Sequence, residues 1–296
     1  MNTAVPLRHL LLAVAIMAIW GSNFTVAKLA LADFPPFLFA GLRFFIAFLP
    51  AALFFKRPNV PWSNLAAYGM LIGLGQFGLL FFALNGHISP GIASVVLQMQ
   101  VLFTMAAAAV FNHERIAGMQ WVAVLLSLSG LGVILSQHDG FTAPFGLMLA
   151  VAAAMCWAMG NMMSRAAGRI DMVAYVVWAS LFAFPPLFAI SYWVDGPVAI
   201  VHSISHATLV GWLGLMWQTL GNTLFGYVAW AWLLSRYPAA SIAPLALMVP
   251  VFGMATSAFV LHEPMPGWKL MAAALVMGGL MLGVLWPLVR RRGLGA

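Results

Sequence analysis

The chain is 296 residues long, 64% hydrophobic and only 6% charged, where a soluble domain carries about 25% charged and about 45–50% apolar residues. That balance excludes a soluble globular, disordered, coiled-coil or nucleic-acid-binding protein and leaves a polytopic helical membrane protein, with room for roughly ten spans of about 20 residues. Lys plus Arg number 13 against 6 Asp plus Glu, a net charge of +7, and the one cysteine, Cys156, lies in an apolar run as a small core residue with no partner for a disulfide or metal cluster.

Apolar runs predict spans over 10–31, 36–55, 65–85, 90–111, 118–136, 145–164, 172–193, 208–234, 239–261 and 267–289. The first follows Arg8 and lacks a small-x-small cleavage site, so it is expected to remain as a helix rather than leave as a signal peptide. The later breaks are Pro35-Pro36, Lys56-Arg57-Pro58, Asn85-Gly86, His113-Glu114-Arg115, His138-Asp139-Gly140, Arg165 to Asp171, Asp195-Gly196-Pro197, Arg236-Tyr237-Pro238 and Glu263-Pro264. The runs are continuous rather than alternating, which favours helices over a β-barrel.

The basic residues segregate. Arg8, Lys56, Arg57, Arg115, Arg165, Arg169, Arg236 and Arg290 to Arg292 fall on one side, and only Lys28 and Lys269 on the other. The positive-inside rule puts the first side, with both termini, in the cytoplasm. The charge excess is thus a topological signal, with lipid headgroups as the partners of the Arg290–Arg292 run and no role for nucleic acid.

A shift of 149 residues aligns the two halves. Residues 99–131 and 248–280 share twelve identities in 33 positions, among them His113/His262, Glu114/Glu263, Gly118/Gly267 and Gly130/Gly279. Apolar composition inflates Ala and Leu matches but does not produce a His-Glu pair and two glycines at one offset. A second echo joins Trp20-Gly-Ser-Asn23 to Trp157-Ala-Met-Gly-Asn161. The repeats are therefore expected over 10–136 and 145–289. Each holds five helices, an odd number, so the second copy enters from the opposite side, an inverted repeat of the kind that secondary transporters use around a mid-membrane site.

The chain resembles the drug/metabolite transporter superfamily in its EamA branch of ten-helix proteins. The resemblance rests on Trp20-Gly-Ser-Asn-Phe24, Ala40-Gly-Leu-Arg43-Phe44, Ala93-Ser94 with Gln98, Glu114, Trp157-Ala-Met-Gly-Asn161, Ala243-Pro244-Leu245 with Val249-Pro250, and Glu263, in family order over nearly the whole chain. It implies a bacterial inner-membrane carrier that exports small amino-acid metabolites of the O-acetylserine and cysteine kind. Cargoes such as an aromatic amino acid, nucleobase, sugar or drug stay open, as does, from another class, a membrane enzyme acting on lipid.

No catalytic constellation, phosphate loop or metal spacing occurs, so no enzyme activity and no cofactor is expected, and a single chain without a soluble ATPase domain must draw on gradients. Arg43 is the one strong charge well inside a span, where a cation costs about 2.5–3.5 kcal/mol. It either attracts the carboxylate of an amino-acid-like cargo or fixes its helix by binding carbonyls of a neighbour. Uncharged polar residues at helical spacing, Ser94 with Gln98, Gln100 with Thr104, Gln218 with Asn222 and Thr219 with Thr223, mark a translocation cavity, and Asn23, Gln76, Gln98, Gln100, Asn161 and Asn222, with Arg43, are the expected substrate-binding set. Trp20, Trp157, Tyr227 and Trp230 are candidate walls or gates. Glu114 and Glu263 are candidate gates at the two mouths, or helix-end residues that pair with loop donors. Pro244 and Pro250 are expected to kink the ninth span and provide a hinge. A monomer and a homo-oligomer are both compatible with the sequence.

Overall fold

The structure is a computed structural model that describes residues 5–112, 118–137, 142–168, 170–237 and 242–293. Among those residues it is built of helices, with no strand. In chain order they are α1 (Leu7–Ala30), α2 (Pro36–Leu53), α3 (Trp62–Leu84), α4 (Pro90–Phe111), α5 (Gly118–Leu135), α6 (Pro144–Ala166), α7 (Met172–Val194), α8 (Gly196–His206), α9 (Leu209–Trp230), α10 (Val249–Leu261) and α11 (Gly267–Val284).

Eight of these are long and apolar enough to cross a membrane singly, and the α8–α9 pair, bent by 95°, brings the number to nine. Ten spans were expected. The shorter α10 stands where the ninth was placed, because the chain there opens as a 3-10 turn over Ala243–Met248 before the α-helix begins at Val249. The separate helix α8 was not expected, since eleven residues are too few to register as a span. Helix starts follow local chemistry. Ser89, Asp171 and Thr208 accept from the first free backbone amides of α4, α7 and α9, and prolines open α2, α4 and α6 where a missing N–H costs nothing.

Packing follows the repeat. α5 packs on its own equivalent α11, and α2 on its equivalent α7. The α1–α10 pairing has its counterpart in α6–α4, and α1–α9 in α6–α3. On α5 and α11 the contacts are reciprocal. A Cβ on Gly130 would meet the Ala272 carbonyl at 2.8 Å, and one on Gly279 would meet the Ala123 carbonyl at 2.5 Å. Gly130 lies against the Ala272–Val276 stretch while Gly279 lies against Ala123–Ser127, so these equivalent helices run antiparallel. The same holds for α2 and α7, where Gly41 meets Phe188 and Phe48 meets Trp178. Equivalent helices crossing in opposite directions are what an inverted repeat requires.

The three cations outside the basic side are each engaged within the fold. Lys28 donates to the carbonyl of Leu84 at the end of α3 (2.8 Å), Lys269 pairs with Glu263 (3.0 Å), and Arg43 is buried. Cys156 is half-buried, with its Sγ 2.6 Å from where a Cβ on Gly75 would sit.

Candidate functional site

Midway along α3 and α9, the two helices that correspond under the repeat, the backbone loosens into π-helix over Met70–Gly78 and Trp217–Phe225. A π turn adds a residue to the coil, frees carbonyls and re-aims side chains, and such turns concentrate at functional sites. In α9 the consequence is direct. Gln218 and Thr223, five residues apart, come to one face, and the Thr223 hydroxyl donates to the Gln218 carbonyl (2.9 Å).

Arg43 of α2 reaches that face. Its Nε and Nη2 donate to Thr223 Oγ1 at 3.1 and 2.9 Å, and its Nη1 donates to Gln218 Oε1 at 2.9 Å. The Phe77 ring, from the π segment of α3, lies 3.7 Å from the guanidinium carbon. The side chain is 1% exposed, and among the described residues no carboxylate pairs with it. The network continues to α1: Gln218 Nε2 donates to the Asn23 carbonyl (3.1 Å) and Asn222 Nδ2 to Asn23 Oδ1 (2.6 Å). Trp20 donates from its indole to the Asn222 carbonyl (3.2 Å) and its ring packs on Tyr227 and Trp230. Four predicted residues, Trp20, Asn23, Arg43 and Asn222, thus meet in one buried cluster.

A second cluster joins α4 and α6. Asn161 Nδ2 donates to Gln100 Oε1 (2.9 Å) and to Thr104 Oγ1 (3.2 Å), and Thr104 donates back to the Gln100 carbonyl (2.7 Å). The echoed asparagines therefore take different partners, Asn23 on α9 and Asn161 on α4. Gln98 bonds the Ala246 carbonyl (3.3 Å) and ties α4 to the turn before α10. Between α4 and α6 runs an apolar groove of about 230 Å³ bordered by Phe103, Val110, Phe111 and Met155. Trp157 is half-buried against the core and makes no ring pair among the described residues.

Gln76 lies in the π segment of α3, 3% exposed, and its Oε1 has no hydrogen-bond partner. An unpaired buried amide oxygen costs about 1–3 kcal/mol, which an apolar side chain of similar shape does not incur. Gln76→Leu is accordingly expected to leave thermal unfolding in detergent unchanged or to raise stability by about 1 kcal/mol. A loss of stability instead would mean that the amide is paired in the membrane.

A small cavity lies beside Arg43 between α2, α3, α7 and α9. Tyr68, Ile72, Phe77, Ser180 and Tyr227 line it, and its free space of about 10 Å³ holds roughly one water. In this conformation the cavity is too small for an amino acid.

The remaining predicted gates lie elsewhere. Pro244 and Pro250 were expected to kink one continuous span. They instead open two successive segments, at the starts of the 3-10 turn and of α10, where proline is tolerated rather than disruptive. Glu263 is 8% exposed, between α10 and α11, inside a ring of donors: the Ser257 hydroxyl, the Gly91 amide at the start of α4 (3.1 Å) and Lys269 Nζ (3.0 Å). Burial pushes its carboxyl up, but hydrogen bonds from Ser257, Ser89 and Lys269, with the Lys269 charge, outweigh that and hold it below the ordinary carboxylate range. Glu114 lies outside the described residues.

Gln218 and Thr223 belong to the polar set expected from the sequence and Tyr227 to the expected cavity walls, whereas Phe77 was not singled out, since a phenylalanine in an apolar run carries no signal. The expected pairing of Gln218 with Asn222 at α-helical spacing is present, with Asn222 Nδ2 donating to Gln218 Oε1 (3.4 Å), and the π turn adds the bond from Thr223 to the Gln218 carbonyl.

The EamA-like transporter family matches this chain twice, over residues 7–136 and 144–285. The chain is 37% identical over 279 residues to a "Probable amino-acid metabolite efflux pump" of Escherichia coli (strain K12), covering 92% of this chain and 93% of that protein. It is also 37% identical over 286 residues to the protein of the same description from Salmonella typhimurium, covering 95% and 96%. A solved structure described as "Crystal structure of protein" is similar in fold, with a TM-score of 0.60 at 19% identity over 94% of this chain and 98% of that one.

Proposed function

For a chain that belongs to the EamA-like transporter family, we propose export of small amino-acid metabolites, O-acetylserine and cysteine among them, from the cytoplasm by alternating access. The repeats rock about a site at their boundary and open it first inward and then outward. The observation that carries the reading is the buried network of Asn23, Arg43, Gln218, Asn222 and Thr223. It joins α1 and α2 of the first repeat to α9 of the second, and it is built of amides, hydroxyls and one cation that match the polar ends of an amino acid. Kinship with proteins described as probable amino-acid metabolite efflux pumps supports the same cargo class.

The protein is multi-pass, and the excess of Lys and Arg in alternate loops supports an inner-membrane orientation with both termini in the cytoplasm. A reporter fused to the C-terminus is expected to be active only in its cytoplasmic form.

Cells that overproduce the protein are expected to release labelled O-acetylserine and cysteine faster than vector controls. Asn222→Leu, which removes the amide that bonds Asn23, is expected to cut that release about tenfold, the effect of one or two lost hydrogen bonds, at unchanged membrane abundance. Equal release from vector and overproducing cells would overturn the cargo assignment.

A further inference from the structure

We propose that Arg43 is the docking group for a carboxylate, which makes the cavity beside it the binding site for the acid end of an amino acid. The proposal rests on the export reading above and names the group of the cargo that is gripped.

A guanidinium has five N–H donors. Three are taken: the Nε proton and one on Nη2 by Thr223, and one on Nη1 by Gln218. One N–H is left over on each terminal nitrogen, and a carboxylate that engages both is held in a bidentate fork. Phe77 covers a face of the guanidinium, and the side chain borders the cavity.

The charge balance points the same way. Every hydrogen-bond partner of Arg43 is neutral, and a buried cation without a counter-charge is a cost that the fold alone does not recover. An anion arriving with the cargo supplies the missing charge.

The place is suited to gating. The cavity walls come from α2 and α3 of the first repeat and from α7 and α9 of the second. Room for about one water means that cargo enters only when the repeats part. Filling the fork compensates the cation, and the walls can then close over a neutral pair.

The test uses the purified full chain in lipid nanodiscs, with thermal stabilisation read for O-acetylserine, cysteine and phenylalanine, each against its carboxamide. Wild type is expected to bind at least one acid about 10- to 100-fold more tightly than its amide, the effect of charge-assisted hydrogen bonds. Arg43→Gln is expected to erase that preference, and Arg43→Lys to restore part of it. If no acid in the panel outcompetes its amide in wild type, or if Arg43→Gln keeps the preference, the docking role is overturned while labelled efflux can still stand. If the phenylalanine pair discriminates and the O-acetylserine and cysteine pairs do not, the docking role stands and the cargo reading fails. The wild-type comparison needs no variant, so a misfolded Arg43→Gln does not block the decision.

Discussion

Replacing Lys269 with methionine is expected to destabilise the fold by about 3–5 kcal/mol, the cost of leaving a buried charge unpaired. Lys269 is 1% exposed and Glu263 8%, and they meet in a buried salt bridge at 3.0 Å. The carboxylate also accepts from the Gly91 amide and the Ser257 hydroxyl, so it fastens the α10–α11 connection to the first turn of α4. Removing the lysine strands that charge in a buried site. Removing both charges does not, because the side-chain amide oxygen introduced by Glu263→Gln still accepts from Gly91. The double variant Lys269→Met with Glu263→Gln is therefore expected within about 1 kcal/mol of wild type, as neutral replacements of buried pairs commonly are.

Acid adds a second, independent sign. The folded-state Glu263 carboxyl titrates below its ordinary range, so its contribution is fully present above the unfolded value of about 4.3 and is lost as pH falls through the folded value. In Lys269→Met the folded value rises relative to wild type, because a favourable charge is gone. The stability gap between the two proteins should then narrow on acidification. Chemical unfolding in detergent at several pH values measures it, and a gap that widens towards low pH would contradict the pairing.

The spans were legible because each is ended by a charge or by Gly, Pro or Asn that hydropathy cannot bridge, as at Lys56-Arg57-Pro58. Two elements were not. α8 carries Val198, Ile200, Val201 and Ile204 within eleven residues, too few for a span signal. The start of α10 was hidden because Ile242 to Val249 is apolar whether it coils as a 3-10 turn or an α-helix, and hydropathy does not report coil type. At the site, Arg43 stood out as a charge within an apolar run, and Asn23 and Asn222 as amides in spans. Their mutual arrangement was not readable, since periodicity arguments assume 3.6 residues per turn and α9 departs from that at the residues in question. Asn23 and Asn161 occupy echoed positions on equivalent helices. The two asparagines differ because they turn to helices that do not correspond under the repeat, Asn23 to Asn222 on α9 and Asn161 to Gln100 on α4. The His-Glu echo reports ancestry of the two halves, and the structure adds for Glu263 a ring of partners that no dipeptide spells out.

The α5–α11 contact yields the other large expected effect. At this interface the identities Gly130/Gly279 and Ala123/Ala272 acquire a physical reason, since each glycine faces the backbone beside the other repeat's alanine. A Cβ on Gly279 would collide with Ser127 Oγ and come within 2.5 Å of the Ala123 carbonyl, and one on Gly130 within 2.8 Å of the Ala272 carbonyl and 3.0 Å of the Val276 amide. Backbone atoms cannot rotate away as a side chain can, so the helices must separate, and in lipid, where close packing rather than hydrophobic exclusion holds helices together, separation forfeits the contact. Ser127 also loses its bond to the Val276 carbonyl (3.2 Å) when that happens. Gly130→Leu and Gly279→Leu should each cost about 2–3 kcal/mol, the upper end for overpacking. Because the two sites share one interface, the first substitution already forces the helices apart, and the second meets a gap rather than a wall. The double variant is expected to cost at least about 1 kcal/mol less than the sum of the singles, a coupling of the size found for residues in contact. Strict additivity in a thermodynamic cycle would mean that the two glycines do not face each other's helix across a common axis, and the antiparallel pairing of the repeats would fall with it.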